Sequence, residues 1–244
     1  MFGFETDKYI VRLLDKNNHD ELIRVQKLRY EYLLKEFNDS LSGENLDDDG
    51  YDEYSDSILV IDKSNNEIAG SYRVASKYTI KGHAYKMAEE FDISSLEEDA
   101  DGFVEAGRAV VHKEYRDGDV VTILWKALFL YAEEFNLRYI IGTVSLHGVS
   151  DTEERRRCTS MLKDKFLDTK FNVKAKKNIF EYGNIEGVSI NDPSVPSLLK
   201  GYLLVLGGKV SLNGYIDYDF NSSDVFIVVD LKSLDPRTRK YILR

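Results

Sequence analysis

The stretch VEAGRAVVHKEYRDGDVVTILWKALFLYAEEFN, residues 104–136, decides the fold. Its first part is apolar and rich in β-branched residues, and it predicts a buried strand that carries two charges, Glu105 and Arg108. Its last part predicts an apolar helix that begins after the polar turn 115–119. Gly118 in this turn allows the backbone to come close to a ligand, and free amides at a helix start can bind an anion. An ordinary strand–turn–helix unit with solvated charges also fits this stretch.

Patterns on either side of this unit predict an α/β protein. An apolar face at helical spacing predicts a helix over 19–37. The runs 57–62 and 67–75 predict a hairpin, in which Gly70 marks a bulge or a close approach of the backbone. The other predicted elements are strands 9–14, 138–145, 209–212 and 225–231, helices 151–166 and 194–206, and irregular segments 38–55 and 77–102. This order predicts a central mixed sheet flanked by helices, and it lacks the glycine signatures of Rossmann and P-loop folds.

Composition narrows the class of protein. The chain has 43% hydrophobic and 12% aromatic residues, enough for the core of a single domain over residues 1–244. The lone cysteine, Cys158, excludes a disulfide framework and a cysteine-based metal cluster. Neither a signal peptide nor an apolar run of membrane-spanning length is present, so we expect a cytoplasmic protein. We also expect no metal site. The net charge of −10 disfavours binding to nucleic acid.

Charged residues recur along the chain in an order that is similar to a known family: Arg29, Asp49 and Asp52, Arg73, then Glu105 and Arg108. The surrounding phrases are QKLRYEYLLKE (26–36), DDDGYDEYSDSILVID (47–62), IAGSYRV (68–74), EAGRAVVHKEYR (105–116), LW (124–125), VPSLLKGYL (195–203) and IDYDFNSSDVFIVV (216–229). This combination resembles the acyl-homoserine-lactone synthases and, more closely, the N-acyl amino acid synthases of the ornithine-lipid and glycine-lipid type.

The resemblance implies a GNAT-like fold and a reaction. The expected reaction moves a long fatty acyl chain from acyl carrier protein to the amino group of an amino acid or a related amine. The alternatives are a small-acyl GNAT acetyltransferase that uses acetyl-CoA, and a non-catalytic protein that binds an acyl ligand. No tightly bound cofactor is expected, because the phosphopantetheine thioester of acyl-ACP, or acyl-CoA, is a co-substrate.

Two departures from the family pattern bear on the substrates. Trp125 is the only tryptophan, so the aromatic lining of a homoserine-lactone synthase is not matched. The usual GNAT pyrophosphate loop is reduced to Arg116-Asp117-Gly118-Asp119, and its two aspartates would repel the diphosphate of coenzyme A. A carrier-protein arm ends in a single phosphodiester, which this loop tolerates better, with Arg116 and Gly118 as donor-binding residues.

The chemistry of acyl transfer assigns roles to the charged residues. The acceptor amine must lose a proton, and Glu105 on the central strand is the candidate base. A structural ion pair with Arg108 is the alternative, but alternation along a strand puts these two side chains on opposite faces. Arg108 can instead pair with Asp49 or Asp52, while Arg29 and Arg73 complete that network or clamp the acceptor carboxylate. His112 fits a proton relay or simple packing, and Cys158 lacks the context of a nucleophile.

A basic island covers residues 155–177, where nine Lys/Arg residues face two aspartates. Its first helix carries Arg155, Arg156 and Arg157, which we expect to bind the donor's acidic carrier protein, although a solvated helix face also fits. The segment 77–102 and the helix 194–206 are candidate walls for the acyl chain. The expected partners are therefore the carrier protein and the amine acceptor, with peripheral membrane contact through a lipid product.

Overall fold

A computed structural model gives the fold and describes residues 2–243. Its strands are β1 (Gly3–Glu5), β2 (Tyr9–Leu13), β3 (Asp56–Asp62), β4 (Ile68–Ser76), β5 (Phe91–Asp92), β6 (Phe103–Val111), β7 (Tyr139–His147), β8 (Lys174–Ala175), β9 (Ile179–Phe180), β10 (Lys209–Val210), β11 (Gly214–Asp217) and β12 (Ser222–Asp230). Its α-helices are α1 (His19–Arg29), α2 (Lys35–Phe37), α3 (Ser94–Glu97), α4 (Asp119–Glu134), α5 (Glu153–Lys165), α6 (Ser197–Lys200) and α7 (Pro236–Ile242). Two π-helical segments, Tyr30–Leu34 and Gly201–Val205, follow α1 and α6 directly.

The described residues form two compact units. The first contains residues 2–84, 104–137 and 240–243, and the second contains residues 85–103 and 138–239. Each unit is therefore assembled from segments that are separated in the chain. This division does not test the expectation of one domain over residues 1–244, which stays a prediction.

The first unit is an antiparallel sheet with a helix on each face. Its strand order is β1-β2-β3-β4-β6. On one face, Val25 and Leu28 of α1 pack against side chains of β3, β4 and β6. On the other face α4 comes so close that a Cβ at Gly70 would stand 2.7 Å from Val120 Cγ1. The close approach predicted at Gly70 is therefore confirmed.

The second unit is built on the antiparallel strand order β7-β12-β11-β9, with β10 also paired to β12. The helix α5 begins after Thr152, whose side chain accepts a hydrogen bond from Arg155 N at 3.1 Å and so caps the helix. Phe91 of β5 packs against Phe226 and Tyr215, with ring centroids 5.2 and 6.2 Å apart. Aromatic packing thus ties the small strand β5 to the sheet of this unit.

The predicted α/β class is confirmed, and most predicted strands and helices lie where the sequence placed them. Helix 19–37 continues through its π-helical segment to Phe37, while the helix predicted over 194–206 begins only at Ser197. The short strands β9 and β11 were not predicted, because two to four residues carry too little alternation to detect. None of the helices formed by residues 2–243 has the length and apolar character needed to cross a membrane.

Candidate active site

Three arginines and three aspartates meet on one face of the first unit's sheet. They come from α1, from the loop before β3, and from β4 and β6: Arg29, Asp47, Asp49, Asp52, Arg73 and Arg108. Their formal charges cancel. We call these six residues the ion-pair network.

Arg29 is the most deeply buried member of the ion-pair network, with a side chain that is 0% exposed. Its guanidinium donates two hydrogen bonds to the carboxylate of Asp52, at 2.8 and 2.6 Å, and one to the backbone oxygen of Asp47 at 2.8 Å. Gln26 Nε2 also donates to Asp52, at 3.1 Å. We call the loop before β3, which carries Asp47, Asp49 and Asp52, the acidic loop. A buried cation needs such partners, so these contacts hold the acidic loop against α1. Because Arg29 is fully enclosed, direct contact with an acceptor is disfavoured.

Arg73 and Arg108 tie the same loop to the sheet. Arg73 donates to both oxygens of Asp49, at 2.5 and 2.8 Å, in the bidentate geometry typical of arginine. Arg108 donates to Asp49 at 3.3 Å, and its Nε lies 3.0 Å from Asp47 Oδ2. The predicted pairing of these arginines with the acidic loop is present, although Arg108 meets Asp47 and Asp49 rather than Asp52. Asp47 was not singled out from the sequence, where it differs in no way from its two aspartate neighbours.

Two aspartates of the ion-pair network, Asp49 and Asp52, remain ionised at neutral pH. Burial of Asp49 would raise the pKa of its carboxyl, but the hydrogen bonds and charge of Arg73, with Arg108, hold that pKa well below its usual value. Burial likewise opposes ionisation of Asp52, and Arg29 with Gln26 lowers its pKa. The loop is therefore held by charged pairs at neutral pH.

A β-bulge in β6 overturns the expected orientation of Glu105 and Arg108. The ladder between β4 and β6 shifts register here, so that two residues of β6 stand opposite one residue of β4: Arg108 and Ala109 opposite Tyr72. Arg108 has a φ of 50°, in the left-handed region. The extra residue breaks the simple alternation, and Arg108 reaches Asp49, which Arg73 also binds. The prediction that Glu105 and Arg108 point to opposite faces is therefore wrong.

Glu105 lies on the same face as the ion-pair network. It stands opposite Ala75, two residues along β4 from Arg73, and residues two apart on a strand share a face. Its side chain is buried. Gly107, directly opposite Arg73, is bordered by open space, because a Cβ there would meet no atom of the described residues within 4 Å beyond its chain neighbours. The bulge thus combines a buried carboxylate with room for another group.

The turn before α4 has the predicted form. Gly118 has a φ of 102° and directly precedes the helix. The carboxylate of Asp117 accepts a hydrogen bond from Asp119 N at 3.2 Å, so a protein group already occupies an amide at the helix start. Arg116 pairs with Glu36 at 2.6 Å and donates to two backbone oxygens. Its guanidinium is engaged within the protein, and donor binding by Arg116 and Gly118 stays a prediction.

The three arginines of α5 have different surroundings. Arg155 is buried, donates to Ser223 Oγ at 2.9 Å, and lies 4.7 Å from the ring centroid of Phe180. Successive helical residues are about 100° apart, so one of three neighbouring arginines turns towards the core. Arg155 therefore cannot serve as a surface contact for a carrier protein, which corrects the prediction for this residue. Arg156 and Arg157 remain partly exposed, and they pair with Asp151 and Asp192 at 2.9 and 2.5 Å.

The surroundings of two other candidates, His112 and Cys158, favour a structural role for each. His112 contacts the ring of Tyr32, with centroids 4.6 Å apart, and accepts a hydrogen bond from Glu114 N at 3.3 Å. Burial raises the pKa of the Cys158 thiol to about 12, which disfavours a thiolate nucleophile. Within residues 2–243 no three His, Cys, Asp or Glu side chains are grouped so that they could hold a metal ion.

Comparison with known proteins agrees with this geometry. The family of the acetyltransferase (GNAT) domain matches residues 28–126, which include the whole ion-pair network and Glu105. The structure of the CoA-dependent acyl-homoserine lactone synthase BjaI, with SAM and isopentyl-CoA, superposes with a TM-score of 0.54 at 12% identity and covers 96% of this chain and 87% of that chain. The structure of the CoA-dependent acyl-homoserine lactone synthase MesI gives a TM-score of 0.52 at 13% identity, over 95% and 92% of the two chains. The fold is therefore that of the GNAT proteins.

Sequence relatives cover nearly the full chain. The L-ornithine N(alpha)-acyltransferase of Agrobacterium fabrum is 27% identical over 92% of this chain and 82% of its own length. The L-ornithine N(alpha)-acyltransferase of Rhodobacter capsulatus is 25% identical over 97% of this chain and 95% of its own length. The chain is a GNAT-fold acyltransferase. The resemblance to GNAT-like N-acyl amino acid synthases is thereby confirmed, and in this acyltransferase the bulged strand β6 lies within the matched domain.

Proposed function

We propose that the acyltransferase moves a long fatty acyl chain from a phosphopantetheine thioester to the α-amino group of an amino acid, with ornithine as the first acceptor to test. The observation that carries this proposal is the placement of a buried carboxylate, Glu105, beside a bulge with open space at Gly107. The ion-pair network closes the acidic loop over the same face. The names of the relatives support an amino acid as the acceptor.

In the proposed mechanism Glu105 is the general base. An ammonium acceptor must lose a proton before its nitrogen can attack, and the proton passes to Glu105 directly or through one water. The nitrogen then forms a bond with the thioester carbon, and the carbonyl oxygen becomes an oxyanion. Backbone N–H groups at the bulge are candidates to stabilise this charge, because the extra residue of a bulge is left out of the ladder. The oxyanion then re-forms the carbonyl as the C–S bond breaks. The nitrogen loses its second proton, and the leaving thiolate takes up that proton.

The three arginines have separate roles in this proposal. Arg29 and Arg73 are positioning residues, because their side chains are only 0% and 8% exposed and their donors are directed at aspartates. Arg108 is the most accessible of the three, with 24% of its side chain exposed. It is the residue that we assign to the acceptor carboxylate, for which a guanidinium is well suited.

The turn before α4 favours a carrier protein over coenzyme A as the donor. Asp117 and Asp119 flank Gly118, and Asp117 already accepts a hydrogen bond from a helix-start amide. A diphosphate would meet these two carboxylates, whereas the carrier-protein arm brings a single phosphodiester. Docking of the carrier protein through the partly exposed Arg156 and Arg157 stays a prediction, as does a cytoplasmic location.

The proposed reaction is tested by measuring thiol release from 3-hydroxyacyl carrier protein, palmitoyl carrier protein, the matching acyl-CoA thioesters and acetyl-CoA. Ornithine, glycine and a mixed amino acid pool serve as acceptors, and Nα-acetylornithine, whose δ-amine is free, serves as the matched control. We expect release that needs both a long-chain donor and a free α-amine, with an N-acyl amino acid detected by mass spectrometry. Release from acetyl-CoA alone would favour a small-acyl acetyltransferase. Donor binding without any release would favour an acyl-binding protein.

A further inference from the structure

The helix formed by Ser197–Lys200 and Gly201–Val205 in the second unit exposes apolar side chains. Leu198, Leu204 and Val205 are 38%, 56% and 37% exposed, while Leu199 and Leu203 are buried. All three exposed side chains come from this one short helix, which is α-helical over Ser197–Lys200 and π-helical over Gly201–Val205. We call the surface of Leu198, Leu204 and Val205 the apolar face. Moving such large apolar side chains out of water lowers the free energy, so this face is suited to an apolar surrounding.

The sequence around the apolar face contains no acidic residue. No Asp or Glu occurs from Pro193 to Ile216, the longest such stretch in a chain with 43 acidic residues and a net charge of −10. Lys200 lies within the helix and Lys209 follows it closely. The segment that carries the apolar face therefore contributes no negative charge of its own.

Two further lysines lie at the end of α5, beside the segment that follows the helix of the apolar face. Val210 N donates to Phe166 O at 2.8 Å, and Lys209 Nζ donates to Lys165 O at 3.4 Å, so the segment after the helix lies beside the end of α5. That end carries the exposed Lys163, Asp164 and Lys165. Across residues 2–243, these lysine ammonium groups and that of Lys200 form no ion pair with a carboxylate. The four lysines outnumber Asp164, so the rim beside the apolar face has a net positive charge.

We propose that the apolar face and its lysine rim dock on the surface of an anionic phospholipid bilayer. Apolar side chains of an interfacial helix insert at the boundary between headgroups and acyl chains, and lysines near the surface are attracted to anionic lipids. The rest of the chain carries a net negative charge, which the same lipids repel, so charge also favours one orientation of the protein. The contact is interfacial, since no helix of the described residues can cross a membrane.

A bilayer fits this surface better than an acidic protein does. Carboxylates of a protein partner are bound best by the planar guanidinium of arginine, but Arg156 and Arg157 on α5 are already paired with Asp151 and Asp192. The groups left on the rim are lysines, which act as point charges towards lipid phosphates. The biological purpose of docking rests on the proposed function, because a long-chain N-acyl amino acid partitions into a bilayer and a docked enzyme releases it there.

The test is sedimentation of the full chain with vesicles of phosphatidylcholine alone or with added phosphatidylglycerol, at low and high salt. We expect at least tenfold stronger binding to the anionic vesicles, since each lysine near the surface contributes about fivefold, and weaker binding at high salt. The double variant Leu204→Ser with Val205→Ser should lower this binding at least tenfold. Ile179→Ser is the matched control, because Ile179 is 51% exposed in the same unit but belongs to β9.

Several outcomes would overturn the docking proposal. Unchanged binding by the double variant would do so, and so would equal binding to vesicles with and without anionic lipid. If the double variant lost turnover with carrier-protein donors and the wild type did not bind vesicles, the apolar face would be assigned to a protein partner instead. Thiol release without vesicles is measured in parallel for both proteins. Vesicle binding without any thiol release would contradict the proposed function and support docking. Thiol release without vesicle binding would support the proposed function and contradict docking.

Discussion

At the scale of single residues, the buried carboxylate of Glu105 is the group on which the proposed chemistry depends. We expect Glu105→Gln to lower kcat about 100-fold or more and to change the KM of the acyl donor little, because the amide keeps the side-chain shape but cannot accept the proton. The measurement is steady-state thiol release with ornithine as the acceptor.

Glu114→Gln is the matched control for Glu105→Gln, since Glu114 is an exposed acid just beyond the end of β6. It should leave kcat unchanged. Thermal unfolding of both variants separates catalysis from stability. If Glu105→Gln kept full turnover, or lost turnover only in proportion to folded protein, Glu105 would have no part in the proton transfer.

The ion-pair network predicts a second single-residue effect. Asp52→Asn would leave the fully buried Arg29 with too little negative charge beside it, and we expect a loss of about 3–5 kcal/mol in the free energy of unfolding. Urea denaturation gives this value. Glu36→Gln, which breaks the exposed pair with Arg116, should cost less than about 1 kcal/mol. A similar small effect for both variants would show that the buried pair is not important for stability.

The same carboxylates predict how stability depends on pH. The pKa values of Asp49 and Asp52 are lower in the folded protein than in the unfolded chain, so the folded state binds fewer protons near pH 4. Their contribution is present above the unfolded pKa, near pH 4, and is lost as the pH falls through the folded pKa values. Asp52→Asn should therefore flatten the acid limb of a plot of unfolding free energy against pH.

At the scale of elements, the bulge in β6 leaves room beside Gly107, while α4 leaves none beside Gly70. We expect Gly107→Ala to keep the unfolding free energy within about 0.5 kcal/mol. It should raise the KM of the acyl donor, because the methyl group enters the open space at the bulge, where we propose that backbone N–H groups meet the oxyanion of the thioester. Gly70→Ala should instead cost about 1–3 kcal/mol, because its methyl group would clash with Val120. An unchanged KM for Gly107→Ala would place the donor elsewhere.

The order of elements was accessible from the sequence because periodicity and turn residues are local signals. The strand–turn–helix unit around Gly118 followed from them, whereas the pairing of the acidic loop with arginines followed from the charged positions that carry the family resemblance. The bulge at Arg108 was not accessible, since a positive φ at an arginine leaves no mark in the residue pattern. The inward position of Arg155 depends on where α5 begins, which is fixed by the Thr152 cap and not by the arginines themselves.

At the scale of the whole molecule, the first unit contains a fluorescent probe of unfolding, and the second contains a carboxyl group that makes stability depend on pH. Trp125, the only tryptophan, lies in α4 of the first unit. Glu90 lies in the second unit, where burial, followed by the charges of Asp224 and Asp217, raises its pKa to about 8. A raised carboxyl pKa contributes stability below the unfolded pKa, near pH 4, and this contribution is lost as the pH rises through about 8.

Glu90→Gln should therefore stabilise the protein at pH 9 relative to the wild type, by roughly 2 kcal/mol after allowance for partial exposure, and should change little at pH 5. If the chain is one domain, as the sequence predicts, the second-unit substitution must also move the unfolding transition seen by Trp125 fluorescence, and by the same amount as the transition seen by circular dichroism. Asp92→Asn, at an exposed acid of the neighbouring strand β5, is the control. Suppose that Glu90→Gln leaves the Trp125 transition unchanged, while circular dichroism shows a second transition that has shifted. The two units would then unfold independently.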